Sequence, residues 1–313
     1  MLVNSLLPSD AALKTAFRLV PVAWFCQHGT TGFFTQRTIM RVIGICRFSY
    51  PALGGFKRMH DSTADRESYL YAPERMELRF RHFETLTLPS IAGQTDADFT
   101  FLILVGDSLP KPWRDRLSDL TADIPQIRIV TREPMKHRQA MQAALLEELG
   151  ENDTESMQFR LDDDDAVGIG FVRALRRMAR RSAPLRNGRR KMAFEFSSGF
   201  MVRLSDTGIE ARTVRSPLWS CGLAVMFNAG DTKTVMNYPH HKLHEKMPTL
   251  IEPTWPMYLR AVHGDNDSGA GDRPGALTQI DSVTQAQLRE RFNVDEDHVK
   301  AVFSAPVAPR DTA

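Results

Sequence analysis

The chain has little cysteine: Cys26, Cys46 and Cys221 are the three in 313 residues. An odd, scattered set excludes a disulfide framework, and no spacing matches a zinc site. Cys46 and Cys221 sit in apolar contexts, as small core residues do, and the scarcity of cysteine suits a reducing cytoplasm. Long apolar runs are missing too. No stretch reaches the roughly 20 residues that span a bilayer, and Leu19–Cys26 is apolar but short, without a small-residue cleavage site behind it. Nor does one sign of charge dominate. With 40 basic and 38 acidic residues the net charge is +2, so any electrostatic site must come from local clustering. Internal repeats and low-complexity tracts are absent.

What is present is an ordinary globular composition, 42% apolar and 25% charged, enough for one large domain or two modest ones with a substantial core. Residues 1–39 lack a clear period and are expected to be a poorly structured leader or a start-site extension. The competing reading is a helix over Asp10–Leu19 capped by Ser9 or Asp10. From Met40 the pattern sharpens. A strand is expected at 41–46, followed by a loop with Gly54 and Gly55. A helix over 74–86 carries Met76, Phe80 and Phe83 at helical spacing and closes at Pro89. The apolar run 99–105 reads as a strand covered on both faces. A helix around 111–120, a strand at 127–130 and a helix from Pro134 to Leu149 follow. A strand at 157–161 and a helix over 170–181 complete the alternation. Beyond 190 it fades to strands at 191–196 and 223–227, and the tail, 269–313, holds one short helix, 284–292. This order predicts an α/β fold with a mostly parallel central sheet and helices on both faces.

The run Phe159-Arg160-Leu161-Asp162-Asp163-Asp164-Asp165 ends one of these strands. Alternation along a strand puts Asp162 and Asp164 on one face with Arg160, and Asp163 and Asp165 elsewhere unless a turn intervenes. Four adjacent carboxylates stay ionised only in water or around a cation. A hard cation such as Mg²⁺ or Mn²⁺ takes carboxylate oxygens and shares its coordination with phosphates. In a doubly wound sheet, ligands bind at the carboxyl ends of strands, where this run lies. The competing reading is a solvated acidic turn that caps the next helix.

The strand ending in Leu-Asp-Asp-Asp-Asp resembles the Asp-x-Asp element of nucleotide-sugar glycosyltransferases of the GT-A fold. Together with Arg47-Phe48-Ser49-Tyr50, Leu88-Pro89-Ser90-Ile91, Gln94-Thr95-Asp96 and Asp98-Phe99, it resembles the bacterial rhamnosyltransferase family from about Met40 to about Ser268. The resemblance implies a GT-A-like catalytic domain over 40–268, with a nucleotide-sugar half at 40–165 and an acceptor half at 166–268. It places Arg47, Phe48, Ser49, Arg160, Asp162 and Asp163 at the donor, Arg47 as a bidentate fork for phosphate. It implies Asp162, Asp164 and Asp165 as ligands of a divalent metal, Mn or Mg, with His263 added from the C-terminal part. A base that takes the acceptor proton is usually a carboxylate. Glu195, in an apolar strand, and Asp231 are the candidates, with Asp206 beside them.

The substrates implied are a nucleotide-diphospho-sugar donor and a glycan or lipid-linked acceptor. His240, His241 and His244 crowd five residues without the Glu of zinc hydrolases, and read as acceptor-side or surface. Arg173–Lys191 holds nine basic residues, either a solvated face or a peripheral contact with an anionic membrane. No recognition motif for nucleic acid accompanies them. Two rival functions remain. A metal-dependent phosphohydrolase also uses Asp-x-Asp at a strand end, but the first strand here is followed by Arg47-Phe48-Ser49, with no Asp. A non-catalytic glycan-binding module on the same fold is the other.

Overall fold

A computed structural model describes residues 40–54, 62–151, 153–186, 188–219, 221–264 and 275–306. The expectations for residues 1–39, Cys26 and Gly55 lie outside this range. From Arg41 the chain alternates as its periodicity requires: β1 (Arg41–Arg47), α1 (Thr63–Leu70), α2 (Pro73–His82), a π-helical turn (Phe83–Thr87), α3 (Leu88–Ala92), β2 (Thr100–Gly106), α4 (Lys111–Thr121), β3 (Ile127–Arg132), α5 (His137–Leu149) and β4 (Ser156–Arg160). The short β5 (Asp165–Val167) and α6 (Phe171–Arg186) follow. The second half is mainly strand: β6 (Lys191–Ser205), β7 (Gly208–Arg215), β8 (Leu223–Phe227) and β9 (Thr249–Ala261), with a short α7 (Leu243–Lys246) between the last two. Then come β10 (Thr278–Gln279), α8 (Ser282–Phe292) and α9 (Glu296–Ser304).

The strands join one sheet in the order β10-β7-β6-β8-β4-β1-β2-β3, with β9 against β6 and β5 against β9. The run β3-β2-β1-β4 is parallel throughout, so all four carboxyl ends lie along one edge. Beyond β4, strand β8 runs antiparallel, and β6 antiparallel to it. Gly44 of β1 makes this packing possible, because a Cβ there would fall 2.3 Å from the Phe159 ring and 2.6 Å from that of Phe101. Those rings, from β4 and β2, stack 6.1 Å apart across it. On that face lie the apolar stripes of α2, α4 and α6; on the other lies α5, through Ala140, Met141, Ala144 and Leu145. The expected architecture, helices on both faces of the sheet, is therefore present.

Three local expectations are corrected. The helix over 74–86 does not close at Pro89. The chain stays helical to Ala92. In the π turn the Leu88 N–H reaches back to Phe83 O, and Pro89, with no N–H to place, sits in the first turn of α3, where none is needed. The helix after β3 starts at His137, not Pro134. The tail holds two helices, because Asp281 caps α8 and Asp295 caps α9. Both are packed: Leu288, Phe292 and Val299 are buried against Phe200, Val202 and Ile209 of β6 and β7.

Candidate functional site

The acidic run does not continue β4. The strand stops at Arg160, and a turn closed by Asp165 N–H to Asp162 O (3.2 Å) carries the four carboxylates. This turn overrides strand alternation. Asp162 stays exposed while Asp163, Asp164 and Asp165 are buried. Carboxylate oxygens of Asp162, Asp164 and Asp165 lie within 4.8 Å of one another, and Asp163 turns away to Arg79.

The turn is clamped from behind by a helix end. Thr87 Oγ1 donates to Asp165 O (2.8 Å), Ser90 Oγ accepts from Val167 N–H (3.4 Å), and Gln94 bridges Gly168 O (2.9 Å) and Val172 N–H (3.1 Å). All three side chains are buried, so their polar atoms must be paired internally. The widened π turn brings Thr87 and Ser90 onto this side. That accounts physically for the Leu88–Gln94 stretch: it holds the backbone of the acidic turn.

From α2 comes the charge that makes burial tolerable. Arg75, Arg79 and His82 recur at helical spacing beside the apolar stripe Met76-Phe80-Phe83. Arg79 Nη1 donates to Asp163 Oδ1 (2.9 Å) and to Asp164 Oδ2 (3.1 Å). Asp164 Oδ2 also lies 2.8 Å from His263 Nε2, and the His263 ring packs on His82, 4.5 Å between centroids. Burial opposes the charge on Asp164, but Arg79 and the His263 hydrogen bond outweigh it and hold its carboxyl well below the usual range. Burial dominates for Asp163, raised to about 6 against the pull of Arg79. It dominates again for Asp165, raised to about 8 against Arg260. His82 is pushed down to about 4 by burial and by His263, which leaves it neutral.

The second half closes the other wall. Asp165 Oδ1 accepts from Ala261 N–H (3.1 Å), and its Oδ2 from the Cys221 thiol (2.8 Å). Arg260 stands 3.9 Å from the same carboxylate and lies over the Trp219 ring at 4.8 Å. The segment that carries Trp219 is strained: Leu218 has φ +58, in the region that disfavours a side chain. It is gripped from both sides. Glu195 Oε1 accepts from the N–H groups of Leu218 and of Trp219 (3.3 Å), and His240 Nδ1 donates to Leu218 O (2.7 Å).

These walls enclose a cleft of about 340 Å³ at the carboxyl ends of β1 and β4. Arg47, Ser49, Arg75, Arg79, Arg138, Arg160 and Arg260 line it with the four aspartates, Tyr50, Trp219, Cys221 and His240. Arg160 has no hydrogen bond or ion pair through its side chain among the described residues. Burial lowers its pKa and the nearby Arg138 and Arg47 add to this, while Asp162 opposes. The same three arginines, together with its own burial, push His137 down to about 4. Arg160, Arg138 and Arg47 together concentrate positive charge on this wall.

Of the expected site residues, the structure brings Arg47, Ser49, Arg160 and Asp162 to Asp165 together, with His263 against Asp164. Ser49 has φ +44 and accepts a hydrogen bond from Arg75 (3.2 Å). Phe48 is displaced from its expected place at the donor: alternation turns it into the core, edge-on to Phe80 (4.9 Å) and Phe83 (5.2 Å). Neither base candidate reaches the cleft. Glu195 is 0% exposed beneath the Trp219 segment, raised to about 7 by burial against its two backbone hydrogen bonds. Asp231 pairs with Lys191 (3.3 Å) just past β8, at the opposite edge of the sheet. Asp206 sits exposed on the β6–β7 hairpin. Cys221, expected in the core, is buried but bonded to Asp165.

Sequence reasoning passed over Arg75, Arg79, Arg138, Trp219 and Arg260. The first two were available as the polar stripe of α2. Trp219 and Arg260 had no local signal.

Similarity to known proteins is faint in structure. TarS 1–349 of S. aureus is 9% identical over 71% of this chain, with a TM-score of 0.37. This chain spans 60% of that fragment's length. The same fragment in complex with UDP-GlcNAc is 10% identical, over 85% of this chain and 71% of its own, again with a TM-score of 0.37. A 4-diphosphocytidyl-2C-methyl-D-erythritolsynthase from Anaerococcus prevotii is 9% identical, over 68% of this chain and 87% of its own, with a TM-score of 0.28. Among curated proteins none matches. In sequence the match is extensive, since residues 41–273 fit the family described as "Putative rhamnosyl transferase". An α/β sheet with parallel strands at its centre, helices on both faces and an acidic turn at a strand's carboxyl end is the arrangement expected of such a chain, which belongs to the family described as "Putative rhamnosyl transferase".

Proposed function

We propose that the protein is a cytoplasmic, metal-assisted transferase that moves a sugar, rhamnose by the family's description, from a nucleotide-diphosphate donor to a glycan or lipid-linked glycan. One observation carries this reading: three carboxylates converge within 4.8 Å in a cleft that six arginines also line. The fit to a divalent cation rests on the donor set. Asp162, Asp164 and Asp165 offer only hard oxygen ligands, which suit Mg²⁺ or Mn²⁺, and exposed Asp162 leaves room for a shared phosphate. His263 is in reach of the same set through Asp164. When bound, such a cation neutralises the diphosphate as the sugar–phosphate bond breaks.

The chain's own residues do the rest. Arg160 and Arg138 present guanidinium forks to phosphate oxygens, with Arg47 at the end of β1 beside them. Arg79 is reserved for Asp163 and Asp164 and fixes the turn. Trp219, with Arg260 over its ring, forms the wall on the acceptor side.

The test is to incubate the protein with a panel of nucleotide sugars and Mn²⁺, Mg²⁺ or EDTA, and to measure released nucleoside diphosphate. Cation-dependent release from one donor, lost on Asp164→Ala, is expected. Release indifferent to EDTA and to that substitution contradicts the metal assignment. Inorganic phosphate from simple phosphoesters points to a phosphohydrolase instead.

A further inference from the structure

Helix α6 contains no acidic residue and six arginines. Its buried face, Phe171, Val172, Ala174, Leu175 and Ala179, packs on the sheet. Two of the arginines are consumed by the fold. Arg176 pairs with Asp96 (3.1 Å) and Asp98 (2.9 Å), and Arg186 with Glu155 (2.5 Å). The other four, Arg173, Arg177, Arg180 and Arg181, recur at i, i+4, i+7 and i+8, so they form one stripe opposite the core. None has an ion pair or a side-chain hydrogen bond among the described residues.

An aromatic stands within this stripe. Trp255 of β9 is 43% exposed and lies under the Arg177 guanidinium at 4.9 Å. Leu185, 64% exposed, follows Arg181 by one turn. Four like charges without counter-ions repel one another, and a large exposed indole is costly in water. Both costs are relieved by the same surroundings, an anionic layer over an apolar one.

We infer that α6 and Trp255 form a docking surface for an anionic lipid bilayer, with the arginines at the phosphates and the indole and Leu185 at the level of the headgroups. A guanidinium resting on an indole is amphipathic in this sense. Nucleic acid would satisfy the charge but leave Leu185 exposed.

The experiment is co-sedimentation of the full chain with phosphatidylcholine vesicles, with and without phosphatidylglycerol. Binding only to the anionic vesicles, weakened by salt, is expected. At about fivefold per arginine near the surface, the quadruple variant R173Q/R177Q/R180Q/R181Q should lose more than a hundredfold in affinity. Trp255→Ala should lose about tenfold, and thermal melts of both should match the parent, since the replaced side chains are outside the core. The inference is overturned if the full chain ignores anionic vesicles, if it binds both kinds equally, or if the quadruple variant binds unchanged. Retention on a nucleic-acid duplex without vesicle binding overturns it as well. Vesicle binding needs neither donor nor cation, so its failure leaves the transferase reading standing.

Discussion

The two halves of the sheet supply the cleft in different ways. From the parallel half, site residues ride on regular elements: Arg47 at the end of β1, Arg75 and Arg79 on α2, Arg138 in the first turn of α5, Arg160 at the end of β4. From the other half, where β8 and β7 run antiparallel to β6 but β9 runs parallel to it, they ride on an irregular segment with Leu218 at φ +58 and on β9. The first half provides charge from positions that the backbone fixes. The second provides shape from a strained segment that buried polar groups must hold. A substitution in the first should therefore change electrostatics, and one in the second should change geometry.

The largest effect is expected at Arg79. Removing it leaves Asp163 and Asp164 buried without their cation, and Arg79→Ala should cost about 3–5 kcal/mol of unfolding free energy in urea titration. A loss below about 1 kcal/mol, the level of an exposed pair, would mean that the two carboxylates are not held as described. Next is Asp162→Asn, which keeps size but removes charge at the exposed ligand. Donor turnover should fall by about 10²–10³-fold with the melting temperature little changed.

Glu195 sharpens the contrast, since it was a base candidate and lies under the Trp219 segment. Glu195→Ala strips the acceptor from two buried N–H groups and should cost about 1–3 kcal/mol. Glu195→Gln retains an acceptor and should keep turnover within about tenfold, whereas loss of a general base costs about 10²–10⁴-fold. The pH dependence follows from the same group. Its folded pKa of about 7 lies above the ordinary 4.5, so between those values the folded state holds more protons than the unfolded one. Stability from Glu195 is thus full below 4.5 and lost as pH rises to 7. A stability–pH curve should fall less steeply between 4.5 and 7 in Glu195→Gln than in the parent, since Asp163 and Asp165, also raised by burial, supply the remaining fall in both. The smallest effect, about 1 kcal/mol, is expected for Ser90→Ala, whose hydroxyl accepts one long bond from the backbone after the acidic turn and donates to Thr87 O one turn back.

The same division governs what could be read from the sequence. In the parallel half each element announces itself by period: β1, β2 and β4 as apolar runs, α2 through Met76, Phe80 and Phe83. The acidic run was legible as a site, but its internal geometry was not, because the turn that gathers Asp165 with Asp162 and Asp164 depends on Thr87, Ser90 and Gln94 about 75 residues away. Phe48 shows the limit of a motif: it belongs to the recognisable Arg47–Tyr50 stretch yet serves the core. In the second half, β7 escaped because only Ile209 and Ala211 mark its buried face between Glu210 and Arg212, and β9 because Pro253 and Pro256 break its pattern. Arg260 and Trp219 escaped because their meaning is contact with each other. Asp231 attracted notice as a carboxylate in the acceptor half, but only sheet direction reveals that it lies at the far edge.

The central claim is that the acidic turn binds a cation shared with a nucleoside diphosphate. Mn²⁺ binding followed by paramagnetic resonance, with and without added nucleoside diphosphate, tests it most directly in the parent and in an Asp162→Asn/Asp164→Asn variant. The account predicts Mn²⁺ binding that tightens when the diphosphate is present and disappears in the variant. Binding that ignores the diphosphate, or that survives loss of both aspartates, would contradict it.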